Sequence, residues 1–143
     1  LRTCPGAKCD KKIFIEWFRE LRDREDIYML YIGYDPWHID DSTLRGFEGE
    51  FGKTAMVPVR QGVATLSAPM KDLASDLKEK LIVYDNNPID KWCLANTQVK
   101  TDINGNIQPV KGVDARNRID GTIALINGYV VLQDKEDEYL SLL

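Results

Sequence analysis

Apolar residues recur through residues 10–26, DKKIFIEWFRELRDRED, at Ile13, Trp17 and Leu21, with Phe14 and Phe18 beside them and charges opposite. This spacing predicts an amphipathic helix, with Asp10 placed to cap it. Residues 27–34, IYMLYIGY, follow as an unbroken apolar run, the pattern of a strand covered on both faces. Leu44, Phe47 and Phe51 predict a short helix over 41–51, although Gly46 and Gly49 weaken it. Residues 55–62, AMVPVRQG, read as a second strand that Pro58 confines to an edge or bulge. In LSAPMKDLASDLKEKL, Ser67 and Pro69 read as a helix start, and Met70, Leu73, Leu77 and Leu81 share one face. LIVYD at 81–85 is a candidate short strand.

A short helix is expected near Pro88–Asn96, followed by a hairpin whose turn is the Asn104-Gly105-Asn106 sequence. The chain closes on a long helix with Ile119, Ile123, Ile126 and Val130 as its apolar stripe. Strands alternating with helices predict an α/β architecture with at least two parallel strands. Function in such sheets gathers beyond the carboxyl ends of the strands, and Asp35 stands at such an end.

With 143 residues, 43% hydrophobic and 29% charged, the chain has the make-up of one soluble globular domain, residues 1–143. No run reaches about 18 apolar residues, so no transmembrane helix and no membrane partner are expected. The start, LRTCPGAKCDKK, has no secretory apolar core and no initiator Met, so a cytoplasmic piece of a longer protein is the expectation. Cys4, Cys9 and Cys93 are an odd set without a secretory signal, which points to reduced thiols. A structural zinc on Cys4 and Cys9 would lack a second pair of ligands. A net charge of −4 argues against charge-driven nucleic-acid binding. It leaves room for an enzyme that meets DNA through bound cations, which reverse the local field.

Two carboxylates draw notice. Asp35 precedes Pro36 and has an ordinary reading as a turn former. Asp120 falls in the first turn of the last helix, where the dipole favours a negative charge by roughly 0.3–1 kcal/mol. His38 is the chain's one histidine, read as a loop residue at a site rim before a general base. Trp92, Cys93 and Leu94 read as core, and the KEDE run at 135–138 as a solvated helix face. No dinucleotide or P-loop glycine pattern occurs.

Six stretches in order change the picture: IGYDPW at 32–37, VRQG at 59–62, LSAPMKDL at 66–73, NNPIDKWCLANTQVK at 86–100, DINGNIQPVKG at 102–112 and RIDGTIAL at 118–125. Together they resemble the C-terminal nuclease domain of the large terminase subunit of tailed phages and prophages. The resemblance implies an RNase H-like fold, here lacking its N-terminal strands and the N-terminal packaging ATPase. It implies an endonuclease that cuts double-stranded viral DNA during packaging in the bacterial cytoplasm, with portal and the small terminase subunit as partners. It also implies two Mg²⁺ or Mn²⁺ ions held by acids, with Asp35 of GYDPW and Asp120 of RIDG as ligands and a third acid upstream of Leu1. Carboxylates suit such hard cations, and two of them about 3.5–4 Å apart serve phosphodiester hydrolysis. Asn96, Lys111 and Arg118 are candidate DNA contacts, with hairpin and helix-start hydrogen bonding as the alternative. His38 and Asp40 would approach the metals only if the loop after Pro36 folds back.

Missing first strands would leave a sheet edge open to self-association. Two rival readings stand beside the enzyme. One is a non-catalytic module that docks on portal or holds DNA, and the other is a flavodoxin-type domain for a small ligand, supported by strand–helix alternation alone.

Overall fold

The computed structural model describes residues 9–114 and 116–142, so Cys4 and its zinc reading lie outside the described residues. The chain forms two compact units, one up to Val57 and one from Pro58.

In the first unit, α1 (Lys12–Glu25) and α2 (Asp41–Phe51) flank β1 (Ile32–Tyr34), and a 3-10 turn at Lys53–Ala55 leads into β2 (Met56–Pro58), hydrogen-bonded to β1. The limits of α2 are those predicted. Asp40 caps it, accepting the Thr43 amide at 2.9 Å. α1 starts one residue after Lys11, and Asp10 supports its first turn by accepting the Lys12 amide at 3.0 Å. The inward face of α1 is carried by Ile15 and Phe18, because these meet Phe47 and Phe51 of α2; Phe14 and Trp17 remain exposed. Ile15, Ile32, Phe47 and Met56 make the buried centre. Gly46 lets the helices close up, since a Cβ there would stand 2.7 Å from Ile15 Cδ1.

The apolar run 27–34 yields a strand only at Ile32–Tyr34; Ile27, Tyr28 and Leu30 are exposed. Apolar residues form a doubly covered strand only where layers lie on both faces, and here only Ile32 is buried. The second predicted strand likewise shrinks to Met56–Pro58, ending at the proline that has no N–H to offer a ladder.

The second unit holds α3 (Val63–Glu79), α4 (Pro88–Asn96), the antiparallel hairpin β3 (Thr97–Thr101) with β4 (Ile107–Lys111), and α5 (Asp120–Leu140). α3 packs on α5 and β4, and α4 packs on α5. Val59 and Leu66 are its most deeply buried side chains, joined in the core by Met70, Leu73, Cys93, Ile126 and Val131. α3 begins a turn earlier than Ser67, after Gly62. Ser67 is buried, and its hydroxyl accepts the Ile107 amide at 3.0 Å, tying α3 to the start of β4.

α4 has the predicted limits, with Asn87 capping through Ile89 N–H at 2.9 Å and Pro88 at the first position. Of Trp92, Cys93 and Leu94, only Cys93 is core. The hairpin turn is held by Asp102, whose carboxylate takes the amides of Asn104 and Asn106, while Gly105 supplies a φ of 76°. Residues 81–85 form no strand, and Leu81, Val83 and Tyr84 are exposed. β-prone side chains cannot make a strand without a partner to complete the ladder.

The buried face of α5 is Thr122, Ile126, Asn127 and Val131, not the all-apolar stripe. Both polar members are satisfied. The Thr122 hydroxyl meets that of Thr97 at 2.9 Å, and Asn127 Oδ1 accepts from Gln61 Nε2 at 3.0 Å. Tyr129 donates to Asp76 of α3, which pushes the phenol up to about 12, and Gln133 donates to Asp72 at 3.0 Å. Among the described residues, no helix is long and apolar enough to cross a membrane.

Gly121 sets the closeness of α4 and α5: a Cβ there would lie 3.2 Å from both Asp90 Oδ1 and Cys93 Sγ. Gly121→Val is expected to cost about 1–3 kcal/mol through overpacking, read as a lower midpoint in urea melts. An unchanged midpoint would show that the helices part freely.

Candidate active site

β1 delivers Asp35 to its carboxyl end, where Pro36, Trp37 and His38 turn the chain. The turn closes from His38 N–H to Asp35 C=O at 3.3 Å. The Asp35 carboxylate, 18% exposed, is fixed at both oxygens. Oδ1 accepts the Trp37 amide at 2.9 Å, and Oδ2 meets His38 Nδ1 at 2.5 Å. A carboxylate oxygen has two lone pairs, so each keeps one for a cation.

Two residues on, Asp40 binds Thr43 through backbone and hydroxyl, and Lys11 Nζ through a 3.0 Å ion pair. Lys11 also donates to the His38 carbonyl at 3.2 Å, which pins the loop to the start of α1. The Thr43 amide first, then Lys11, hold the Asp40 carboxyl down at about 2. Arg19 and Arg22 of α1 both bind Glu50 of α2, at 2.6 and 2.9 Å, and keep its carboxyl below the ordinary range.

These two acids predict the acid response of the first unit. Both are depressed in the folded state, so their stabilising contribution is complete above the unfolded values near 4. It is lost as pH falls through about 2 for Asp40. Thermal melts should fall progressively from pH 4 to pH 2, and Asp40→Asn should shallow that slope. A slope identical to wild type would contradict the assignment.

In the second unit, α5 begins at Asp120, whose carboxylate is exposed. Among the described residues, no side chain donates to it. Ahead of it, Asn96 Nδ2 donates to the Arg118 carbonyl at 3.3 Å, and Arg118 donates to Asn117 C=O at 3.0 Å. Lys111 is exposed and pairs across the ladder with Thr97, the residue after Asn96. The structure therefore brings Asn96, Lys111 and Arg118 to the base of the hairpin, two residues from Asp120. Asn96 also carries the structural bond that was the alternative reading of this group. Beside Gly121 opens a cavity of about 490 Å³, lined by Leu77, Ile82, Tyr84, Asp90, Leu94 and Leu125 among others.

The donor chemistry of Asp35 and Asp120 fits a hard divalent cation, since both offer carboxylate oxygen. Among the described residues, no three of His, Cys, Asp and Glu gather as a ready cation cage. The Asp35–His38 contact was not deduced from the sequence, although a His three residues after an Asp-Pro turn is a usable signal. The Thr97–Thr122 and Gln61–Asn127 pairs, which seat the start of α5, carry no sequence signal.

The fold that carries this arrangement is an RNase H-like nuclease fold. The chain superposes with a TM-score of 0.76 on the crystal structure of the HK97 bacteriophage large terminase, at 23% identity, covering 91% of this chain and 26% of that one. The family model described as terminase large subunit, endonuclease domain, matches residues 23–136, and the chain belongs to that family. It is also 41% identical over 85 residues to Protein YmfN of Escherichia coli (strain K12), covering 57% of this chain and 18% of that protein.

Proposed function

We propose that the chain is a nuclease domain, residues 1–143, that hydrolyses double-stranded DNA during packaging of a phage or prophage genome in the bacterial cytoplasm. The observation that carries this reading is the family match over residues 23–136, which includes both acids. Asp35 and Asp120 are the proposed ligands of two Mg²⁺ or Mn²⁺ ions. Such ions supply activation of a water and neutralisation of charge on the leaving phosphate oxygen. Asp35 brings an oriented carboxylate with its outer hydrogen bonds in place, and Asp120 an exposed one at a helix start. Lys111 and Arg118 offer cationic groups, and Asn96 an amide, to the DNA backbone, a contact class that positions a duplex without reading its sequence. Portal and the small terminase subunit are the proposed protein partners, and an open edge of the short sheets the proposed surface for self-association.

The gathering of Asn96, Lys111 and Arg118 at the base of the hairpin also serves a second reading, a module that holds DNA or docks on portal without cutting. One experiment separates the two. Plasmid DNA is incubated with the chain and Mn²⁺, with and without EDTA, and both cleavage and retention on a filter are scored. Cleavage abolished by EDTA supports the nuclease, whereas retention without cleavage supports the holding module. A result with no cleavage and no retention would overturn both readings.

A further inference from the structure

Asp35 spends both carboxylate oxygens on its own turn. One donor is a backbone amide, which any residue at position 37 except proline would supply. The other is a side chain, His38 Nδ1 on Oδ2 at 2.5 Å. A carboxylate only accepts, so Nδ1 is the protonated nitrogen and the proton on it points at Asp35. The ring itself is 84% exposed while the carboxylate it holds is 18% exposed, so burial of the imidazole does not explain its placement. The backbone of His38 is fastened twice, through its N–H to Asp35 C=O and through its C=O to Lys11 Nζ. The ring is thus delivered to Oδ2 by a turn that is itself tied down.

We infer that His38 is a positioning residue, which orients the Asp35 carboxylate for a divalent cation by donating from Nδ1 to Oδ2. This rests on the proposed role of Asp35 as a metal ligand. Without the donor, the carboxylate keeps only the Trp37 amide and turns about its side-chain torsions. Ordering it then falls to the cation, at the expense of affinity. Outer hydrogen-bond partners of metal ligands are typically worth about 10–100-fold in affinity.

The two nitrogens of His38 can be told apart by substitution. An Asn amide places its N–H near the position of Nδ1, and a Gln amide near that of Nε2. Mn²⁺ affinity is read from the electron paramagnetic resonance signal of free Mn²⁺ for wild type, Asp35→Asn, His38→Ala, His38→Asn and His38→Gln, with a thermal melt of each. The expected result is 10–100-fold weaker binding for His38→Ala and His38→Gln, near-wild-type affinity for His38→Asn, and similar melting temperatures among the three His38 variants. A purely structural role would move the melts and leave affinity alone. Loss in His38→Asn with retention in His38→Gln would overturn the inference by making Nε2 the working atom. Wild-type affinity in His38→Ala, with binding lost in Asp35→Asn, would overturn it while leaving the metal reading intact. No Mn²⁺ binding by the wild type, or full binding by Asp35→Asn, would overturn the metal reading and this inference with it.

Discussion

Asp120→Asn is expected to lower Mn²⁺-dependent cleavage of duplex DNA by about 100-fold or more, at or beyond the upper end of what losing an outer partner of a ligand does. Folding should scarcely change. The carboxylate is exposed at the first position of α5, and no described side chain donates to it. Its replacement forfeits only its interaction with the helix dipole, roughly 0.3–1 kcal/mol. A structural role would give the opposite pairing, with a large shift in stability and intact cleavage. Asp35→Asn should lose activity to the same degree but also some stability. An Asn side chain keeps one acceptor oxygen where Asp35 uses two, at 2.9 and 2.5 Å. Each hydrogen bond is worth about 0.5–1.5 kcal/mol net. Cleavage rates beside urea melts on the two variants check both halves of this prediction.

The largest loss of stability is expected at Leu66. It is 1% exposed, in the first turn of α3, beside Ser67, whose hydroxyl holds the start of β4. Leu66→Ala removes three carbons from a site with no solvent to fill the space, and should cost about 2–5 kcal/mol. Against a typical total of about 5–15 kcal/mol, that is a large fraction. At roughly 4 °C per kcal/mol for a chain of this size, the melting temperature should fall by about 10 °C or more. Calorimetric melting of the variant checks it, and a shift under about 3 °C would mean that the core collapses to fill the void.

How much of this was legible in the chain varies with the kind of signal. Local chemistry read well: the Asn87-Pro88 start of α4, the limits of α2 at Asp41–Phe51, and the Asn104-Gly105-Asn106 turn are each decided by residues within a few positions. Strands read poorly, because Ile27, Tyr28, Leu30, Leu81, Val83 and Tyr84 are apolar or β-prone but lie exposed outside any strand. Whether such a run is a strand depends on a partner elsewhere in the chain, and hydropathy does not carry that information. The α5 stripe failed for a related reason. Thr122 and Asn127 are buried because Thr97 and Gln61 satisfy them, and a polar residue's burial cannot be read without its partner. At the candidate site, residue type alone left Asp35 and Asp120 as a turn acid and a helix-start acid. Their reading as ligands came from the ordered motifs. The His38 contact was open to a closer look, since the Asp-Pro-Trp-His turn brings position 38 back over position 35.

The most direct test of the account is a calorimetric titration of the 143-residue chain with Mn²⁺, beside Asp35→Asn and Asp120→Asn. The prediction is saturable binding by the wild type that is lost in both variants, each with a near-wild-type fold. Binding that survives in either variant, or no binding by the wild type, would contradict the assignment of these two carboxylates as the metal ligands.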